Sequence, residues 1–349
     1  MALAPDERSY PESTSTVQTS SNFNEKAPLP PDAPLSPIPT APDPGNPTSS
    51  SSENEVIPVT ATEVLPGLPR LNYNLWNYRK KLFIVTTLLA VESSIVPIAL
   101  YYGLVFGTTL RQGIAFAIIT SFFGIVSGLE FGLRSLKLIS KKDTYRPLGA
   151  KGRWKFDFTH MTLSFGYTII TALLIAASIP RPPLVKPLAI PLSLFFLQMG
   201  AQLVWSGWMS AMHKPAPCKI SSWEKGERTP PLVYTLVEDI VAVDGGAGKE
   251  YREALKARYQ TSKMFRRMIA DQNWFWGFGS LACGGGTMAA VWVPAKEIAY
   301  GLGWGIPLIF SLVWTWITVV WVRGALRKEK KMWIGKPRSS MVPREALSH

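Results

Sequence analysis

Histidine and cysteine are scarce in this sequence. Only His160, His213 and His349 occur among 349 residues. Di-haem membrane cytochromes need four axial histidines and membrane desaturases several histidine boxes, so both classes are excluded. The two cysteines, Cys218 and Cys283, provide no disulfide framework. Cys218 also lacks the Asp-His-His-Cys context of protein acyltransferases. A Walker loop, a dinucleotide fingerprint and a G-x-S-x-G elbow are missing as well. The sequon at Asn46-Pro47-Thr48 is blocked by its proline. The stretch MALAPDERSY has no apolar run, so no cleavable signal peptide is expected and the first span would serve as an uncleaved anchor.

Charge is also sparse. Asp, Glu, Lys and Arg make up 17% of the chain against 47% hydrophobic residues, with a mean hydropathy of +0.10. Too little charge is present to cover a soluble surface, so the apolar residues must be concentrated. They form six runs, at 82–110, 114–133, 158–180, 187–212, 274–294 and 301–322. Each can cross a hydrocarbon core of ~30 Å as a helix rising ~1.5 Å per residue. Trp76, Tyr78, Tyr101, Tyr102, Trp274, Trp276, Trp292, Trp304 and Trp321 stand near the ends of these runs, where interfacial aromatic belts are expected. The expected fold class is all-α: a polytopic integral membrane bundle of six transmembrane helices.

Residues 1–70 are rich in Pro, Ser and Thr and hold nine acids against Arg8, Lys26 and Arg70, a balance of −6. Of the overall +13, the remainder therefore holds +19. Such a tail cannot bury enough apolar area to offset its ordering entropy, so 1–70 is expected to be disordered and cytosolic. Residues 71–323 then form the membrane domain, including a cytosolic loop at 213–273, and 324–349 form a basic tail. When loops alternate sides, Arg79–Lys81, the segment from Arg134 to Lys155, the 213–273 loop and the tail share one face. Only Arg111, Arg181, Lys186 and Lys296 fall on the other. The positive-inside rule places both termini in the cytosol. The partner implied is the bilayer, with anionic inner-leaflet lipid against LKLISKKDTYRPLGAKGRWKFD. No motif supports nucleic-acid binding.

Span five, with GFGSLACGGGTMAA, has small residues four apart at Gly279/Cys283, Ala282/Gly286 and Gly286/Ala290. That pattern lets helix backbones approach and puts span five inside the bundle. In the 213–273 loop, Thr229 is a candidate N-cap before Pro230, and Leu232, Leu236, Ile240 and Val243 recur at helical spacing up to Gly245-Gly246. The following KEYREALKARYQTSKMFRRMIAD is expected to be a basic amphipathic helix lying on the membrane, with Tyr251, Leu255 and Tyr259 on its apolar face.

Glu92 is the first candidate catalytic residue, because eleven positions after Lys81 it sits near mid-membrane, where an ionisable group is costly unless paired. Gln198, Gln202 and Ser206 make a stripe at comparable depth that could hydrogen-bond Glu92 and contact a substrate. Its alternative role is a neutral acid joining two helices. Glu130 is expected to pair with Arg134 on the same helix. Asp157 and His160 could be an acid/base couple or a helix cap. Glu238, Asp239 and Asp244 could act in catalysis, holding Mg²⁺ for a pyrophosphate with Arg252, Arg266 or Arg267 as substrate ligands. Membrane prenyltransferases carry paired aspartate-rich motifs, however, and this cluster is single. The same acids fit the polar face of an interfacial helix, and neither a metal site nor a cofactor is assigned.

The run PPLVYTLVEDIVAVDGGAG, then Tyr251-Arg252 and Met264-Phe265-Arg266-Arg267-Met268-Ile269, resembles a group of uncharacterised multispan membrane proteins of filamentous fungi. The resemblance covers about residues 75–335. Members often accompany secondary-metabolite gene clusters, which implies an accessory protein or enzyme acting on a lipophilic intermediate. A proton-coupled small-molecule carrier using Glu92 and a structural membrane organiser without catalysis are the alternatives.

Overall fold

Runs of leucine, isoleucine and phenylalanine broken by short Gly, Pro and Arg turns fold here as a succession of helices. The computed structural model describes residues 68–71, 79–150 and 156–334, all within one unit, Glu63–His349. The first run is α1 (Arg79–Ala90), a π-helical segment (Val91–Ile95) and α2 (Val96–Gly107) in unbroken succession. A tight turn leads into α3 (Gln112–Ser140), the short α4 (Lys142–Tyr145) and then α5 (Phe158–Ser178). The single turn α6 (Val185–Leu188) precedes α7 (Pro191–Ala211). Next come α8 (Leu232–Asp239), a second π-helical segment (Ile240–Asp244), α9 (Gly248–Thr261), α10 (Lys263–Trp292) and α11 (Lys296–Ile334). Among the described residues the fold is all-helical, apart from two isolated bridges, Pro215 with Arg228 and Ile220 with Trp223.

Four helices are long and apolar enough to cross a bilayer: Phe83–Gly107, Gln112–Ser140, Phe158–Ser178 and Lys296–Trp333. Their outer faces carry apolar side chains at helical spacing, as Ile125, Leu129, Leu133 and Leu136 do on α3 and Ile309, Leu312, Trp316 and Val320 on α11. Exposed apolar stripes of that extent are the mark of a lipid-facing surface. The remaining two expected spans are the helices α7 and α10, whose glycines, serines and amides lower their hydropathy. The glycines Gly200, Gly207, Gly277 and Gly284 lie where the two helices face each other, in the most extensive helix pair of the fold.

α7 and α10 meet backbone to backbone. A Cβ on Gly284 would stand 2.8 Å from the Ser193 carbonyl oxygen and 2.9 Å from the Leu197 nitrogen. One on Gly200 would stand 2.9 Å from the Leu281 nitrogen, and Gly277 and Gly207 are similarly close to the facing helix. Span five is inside the bundle as its small residues imply, and the expected pair Gly279/Cys283 is buried, with Gly279 against Trp314, but the pairs that include Gly286 are not the contact face. Gly277, Ser280, Gly284 and Thr287 are buried, whereas Gly286 looks into open space. Two expected belt aromatics are also core residues: Tyr101 stacks on Tyr300 at 4.1 Å, and Trp304 is buried beside them and donates to the Leu188 carbonyl at 3.3 Å.

The 213–273 loop departs most from expectation. It is a folded cap with its own core of Ala216, Ile220, Trp223, Tyr234, Tyr251, Leu255, Phe265, Met268 and Ile269. The basic stretch is two helices, because Ser262 takes extended backbone (φ −99°, ψ 110°) and its hydroxyl caps α10 by accepting from the Phe265 N–H. Tyr251 and Leu255 bury their face in protein, not lipid. Thr229 does not cap α8; its hydroxyl donates to the Lys214 carbonyl at 3.0 Å, and the helix starts at Leu232 after Pro231. α11 continues to Ile334, so the basic tail begins as helix, with Ala325 and Leu326 packed on the cap. The expected disordered segment, apart from residues 68–70, lies outside the described residues. So do Trp76, Tyr78, residues 151–155 of the basic belt and the tail beyond 334.

Backbone contact at Gly284 gives a direct test. Gly284→Ala is expected to lower stability by about 1–3 kcal/mol through overpacking, while Gly286→Ala gains up to about 1 kcal/mol from helix propensity. Thermal unfolding of the two variants in one detergent reads the difference; equal effects would refute the α7–α10 contact.

Candidate functional site

The acids singled out in the sequence converge beneath the cap on two arginines. α8 ends with Glu238 and Asp239, both fully buried, and α9 turns the fully buried Arg252 toward them. Arg252 Nη1 donates to Glu238 Oε1 at 2.9 Å and to Asp239 Oδ1 at 2.6 Å. Its Nη2 donates to the Tyr145 carbonyl at 3.2 Å and lies 3.8 Å from Asp157 Oδ2. From the end of α3, Arg134 donates through Nη2 to Asp157 Oδ2 at 2.7 Å and through Nη1 to Asp244. Asp244 closes the second π-helical segment and is the exposed member of the group.

Neutral partners complete the arrangement. Asp239 Oδ2 accepts from the Thr159 N–H (3.1 Å), the Thr159 hydroxyl (2.7 Å) and the Ser221 hydroxyl (2.6 Å). Asp157 caps α5, its Oδ1 accepting from the His160 N–H at 2.7 Å. The Ser222 hydroxyl donates to Glu238 Oε1. Ser221 has a left-handed backbone (φ 46°), unfavourable for a residue with a Cβ. Its hydroxyl offsets that cost by bonding Asp239 and accepting from the Phe158 N–H at 3.1 Å. α3, α5, α8, α9 and the 213–231 loop are thus joined by one set of charged hydrogen bonds.

Four carboxylates face two guanidiniums, so with every acid ionised the cluster would carry two excess negative charges. Burial, reinforced by the Asp239 charge, raises Asp157 to about 6, against the pull of Arg134, the His160 N–H and Arg252. Burial and Asp239 likewise raise Glu238 to about 7, against Arg252 and the Ser222 hydroxyl. Glu238 Oε2 is buried without a hydrogen-bond partner, the oxygen best placed to carry a proton. The arrangement can hold helices in register and bind protons. Guanidinium and hydroxyl donors occupy most of the oxygens that a cation would need, and among the described residues no group of three or more His, Cys, Asp or Glu side chains is placed to hold a metal ion.

The remaining candidates lie elsewhere. Glu92 is buried in the first π-helical segment, where Oε1 accepts from the Ser127 hydroxyl at 3.1 Å and Oε2 has no partner. It does not meet the glutamine stripe. Gln198 Nε2 donates to the Thr162 carbonyl at 3.0 Å, and the Ser206 hydroxyl donates to the Leu203 carbonyl. Gln198 and Gln202 instead line a groove of about 410 Å³ between α5 and α7, walled by Phe165, Ile169, Leu194 and Phe195. The Gln202 Oε1 is buried there without a partner. Arg266 caps the end of α9, donating to the Tyr259 carbonyl at 2.9 Å and the Gln260 carbonyl at 2.5 Å. Together with Arg267 it lines a second groove, of about 260 Å³, apart from the acids. Glu130 is not the partner of Arg134; it is exposed, and Arg134 turns inward to Asp157 and Asp244.

Sequence reasoning missed the roles of Arg134, Thr159, Ser221 and Ser222. The signal available was an arginine followed by a helix-capping Asp157 in the next segment. Separations of 23 to 110 residues hide such pairings.

Raised folded-state values fix the sign of a pH effect. Asp157 and Glu238 bind protons more tightly in the fold than at their ordinary values of 3.8 and 4.5, so their contribution to stability is complete below those values. It is lost as pH rises through about 6 and about 7. Glu238→Gln keeps the Oε1 acceptor for Arg252 and Ser222 and removes the charge. It is expected to flatten the decline in melting temperature between about pH 4.5 and pH 7 and to equal or exceed the parent at about pH 8. An unchanged slope with a lower melting temperature would contradict this.

No curated protein and no solved structure matches the chain. A family model described as a domain of unknown function (DUF8766) matches residues 58–333, which include every helix above except the last residue of α11, and the chain belongs to that family.

Proposed function

We propose that the chain is a six-span membrane protein that takes a lipophilic molecule bearing a hydrogen-bond donor into the groove between α5 and α7. The observation that carries this reading is the Gln202 amide oxygen, buried and unpartnered on a wall that is otherwise mostly apolar. A concave apolar site with one or two placed polar groups is the usual form of a small-molecule pocket, and about 410 Å³ is within the range such pockets span. Gln202 lies near the middle of the 21-residue α7, so the molecule enters sideways from the hydrocarbon region. The resemblance to the fungal group supports an intermediate of a secondary-metabolite pathway as that molecule. Arg252 and the hydroxyls around Glu238 and Asp239 favour a positioning role for those acids, holding the cap over the bundle.

Glu92 supports a second reading, a proton-coupled carrier, because its buried Oε2 has no partner. The two readings separate in a deletion strain complemented with variants and followed by metabolite profiling of cells and medium. Under the first, Gln202→Leu and Ala201→Trp deplete a lipophilic product, and Glu92→Gln has little effect. Under the second, Glu92→Gln leaves the product trapped inside cells. Unaltered profiles in all three variants would remove both readings.

In the proposed orientation the cap and both termini face the cytosol. Cys218 is exposed on the cap while Cys283 is buried. An impermeant maleimide is expected to label Cys218 in sealed microsomes without detergent, and Cys218→Ala to abolish the signal. Labelling that requires detergent would reverse the orientation.

A further inference from the structure

A cleft of about 260 Å³ opens where α7 ends and α10 begins, and three arginines, Arg228, Arg266 and Arg267, line it. No carboxylate is among its lining residues. None of the three arginines forms an ion pair with a carboxylate among the described residues. This contrasts with Arg134, Arg252 and Arg258, whose charges are all met by buried acids. Arg266 is oriented by the carbonyls of Tyr259 and Gln260, and Arg228 Nη2 donates to the Ser210 carbonyl at 3.4 Å. Arg267 is exposed and has no described partner. Burial raises the Tyr259 hydroxyl while Arg228 and Arg266 both oppose that rise, so two of the guanidiniums converge on one phenol.

Three uncompensated guanidiniums around one concavity form a strong anion site. Their forked donors suit the tetrahedral oxygens of a phosphate better than point charges do. The cleft's depth along the bundle narrows the ligand further. Trp205, Trp208 and Met212 are exposed on the same end of α7, and Trp274 lines the cleft itself. Exposed tryptophans at a helix end mark the headgroup level of a bilayer. An anion held there sits at the height of a lipid phosphate, with apolar helix surface beside it for a hydrocarbon tail.

We propose that this cleft binds a phosphate group at the membrane surface, held by Arg228, Arg266 and Arg267. A phospholipid headgroup and a soluble phosphate share that chemistry, and the site is separate from the α5–α7 groove.

Native mass spectrometry of the full chain tests the proposal, with short-chain phosphatidic acid, short-chain phosphatidylcholine and inorganic phosphate as probes. Retention of phosphatidic acid over phosphatidylcholine is expected, falling about tenfold or more in Arg228→Gln/Arg267→Gln. Arg267→Lys, which keeps the charge, is expected to retain most of the binding. Inorganic phosphate bound with the same arginine dependence, and not displaced by phosphatidic acid, would assign the soluble source. Equal retention of both lipids without phosphate binding, or binding unaffected by the double variant, would overturn the site. Both replaced side chains are exposed, so folding is expected to persist; should the double variant fail to fold, Arg267→Gln alone gives the same reading. Ala201→Trp fills the other groove and is expected to leave phosphate binding intact, so the two readings fail separately.

Discussion

Arg252 is the constraint around which the polar half of the molecule is arranged. A guanidinium with no exposure to solvent cannot be shed as a charge, so the chain must bring acceptors to it. Glu238 and Asp239 come from the helix before it, the Tyr145 carbonyl from the turn after α3, and Asp157 from the start of α5. Together those groups fix the end of α8, the end of α4 and the start of α5. Such an assembly contributes little net stability against an apolar alternative, but removing one partner strands the others at about 3–5 kcal/mol. What the assembly does is join the cap to the bundle, through bonds that tie α8 and α9 to α3 and α5.

Arg258 repeats the device on a smaller scale. Its Nη2 donates to the buried Glu329 at 2.5 Å and ties the far end of α11 to α9. The last helix therefore does not end where its apolar run ends. It continues past the expected bilayer boundary as a polar-patterned extension whose inner face packs on the cap.

The helices were legible because each apolar run is long, and hydrophobic length is a local property. The α7–α10 pair was legible as a small-residue helix, but not its contact face, since which glycine meets a backbone depends on where the neighbour lies. The expected α8 matches the fold as a helix and in buried Leu232 and Val243, but not in which other residues face inward. Leu232, Leu236, Ile240 and Val243 look like one apolar face, yet α8 is packed on more than one side and its polar residues are buried as well. Ile240 is exposed, and Thr235, Glu238 and Asp239 point inward. Polar residues on a helix are expected to face water; here their partners are donors from residues far along the chain, which no local pattern reveals.

Glycine contact between α7 and α10 also governs how the α5–α7 groove can breathe. Gly200, Gly277 and Gly284 lie against the facing backbone and Gly207 against the Asn273 and Trp274 side chains, so little slack remains between the two helices. Widening the groove then falls to α5, which would have to give up the Thr162 carbonyl bond to Gln198. The same helix is tethered at its first residues through Asp157 and Thr159, which leaves its far end less constrained by charged bonds. Under the proposed function, a proton taken up by the buried acids and a guest lodged between the helices would therefore act on the same helix.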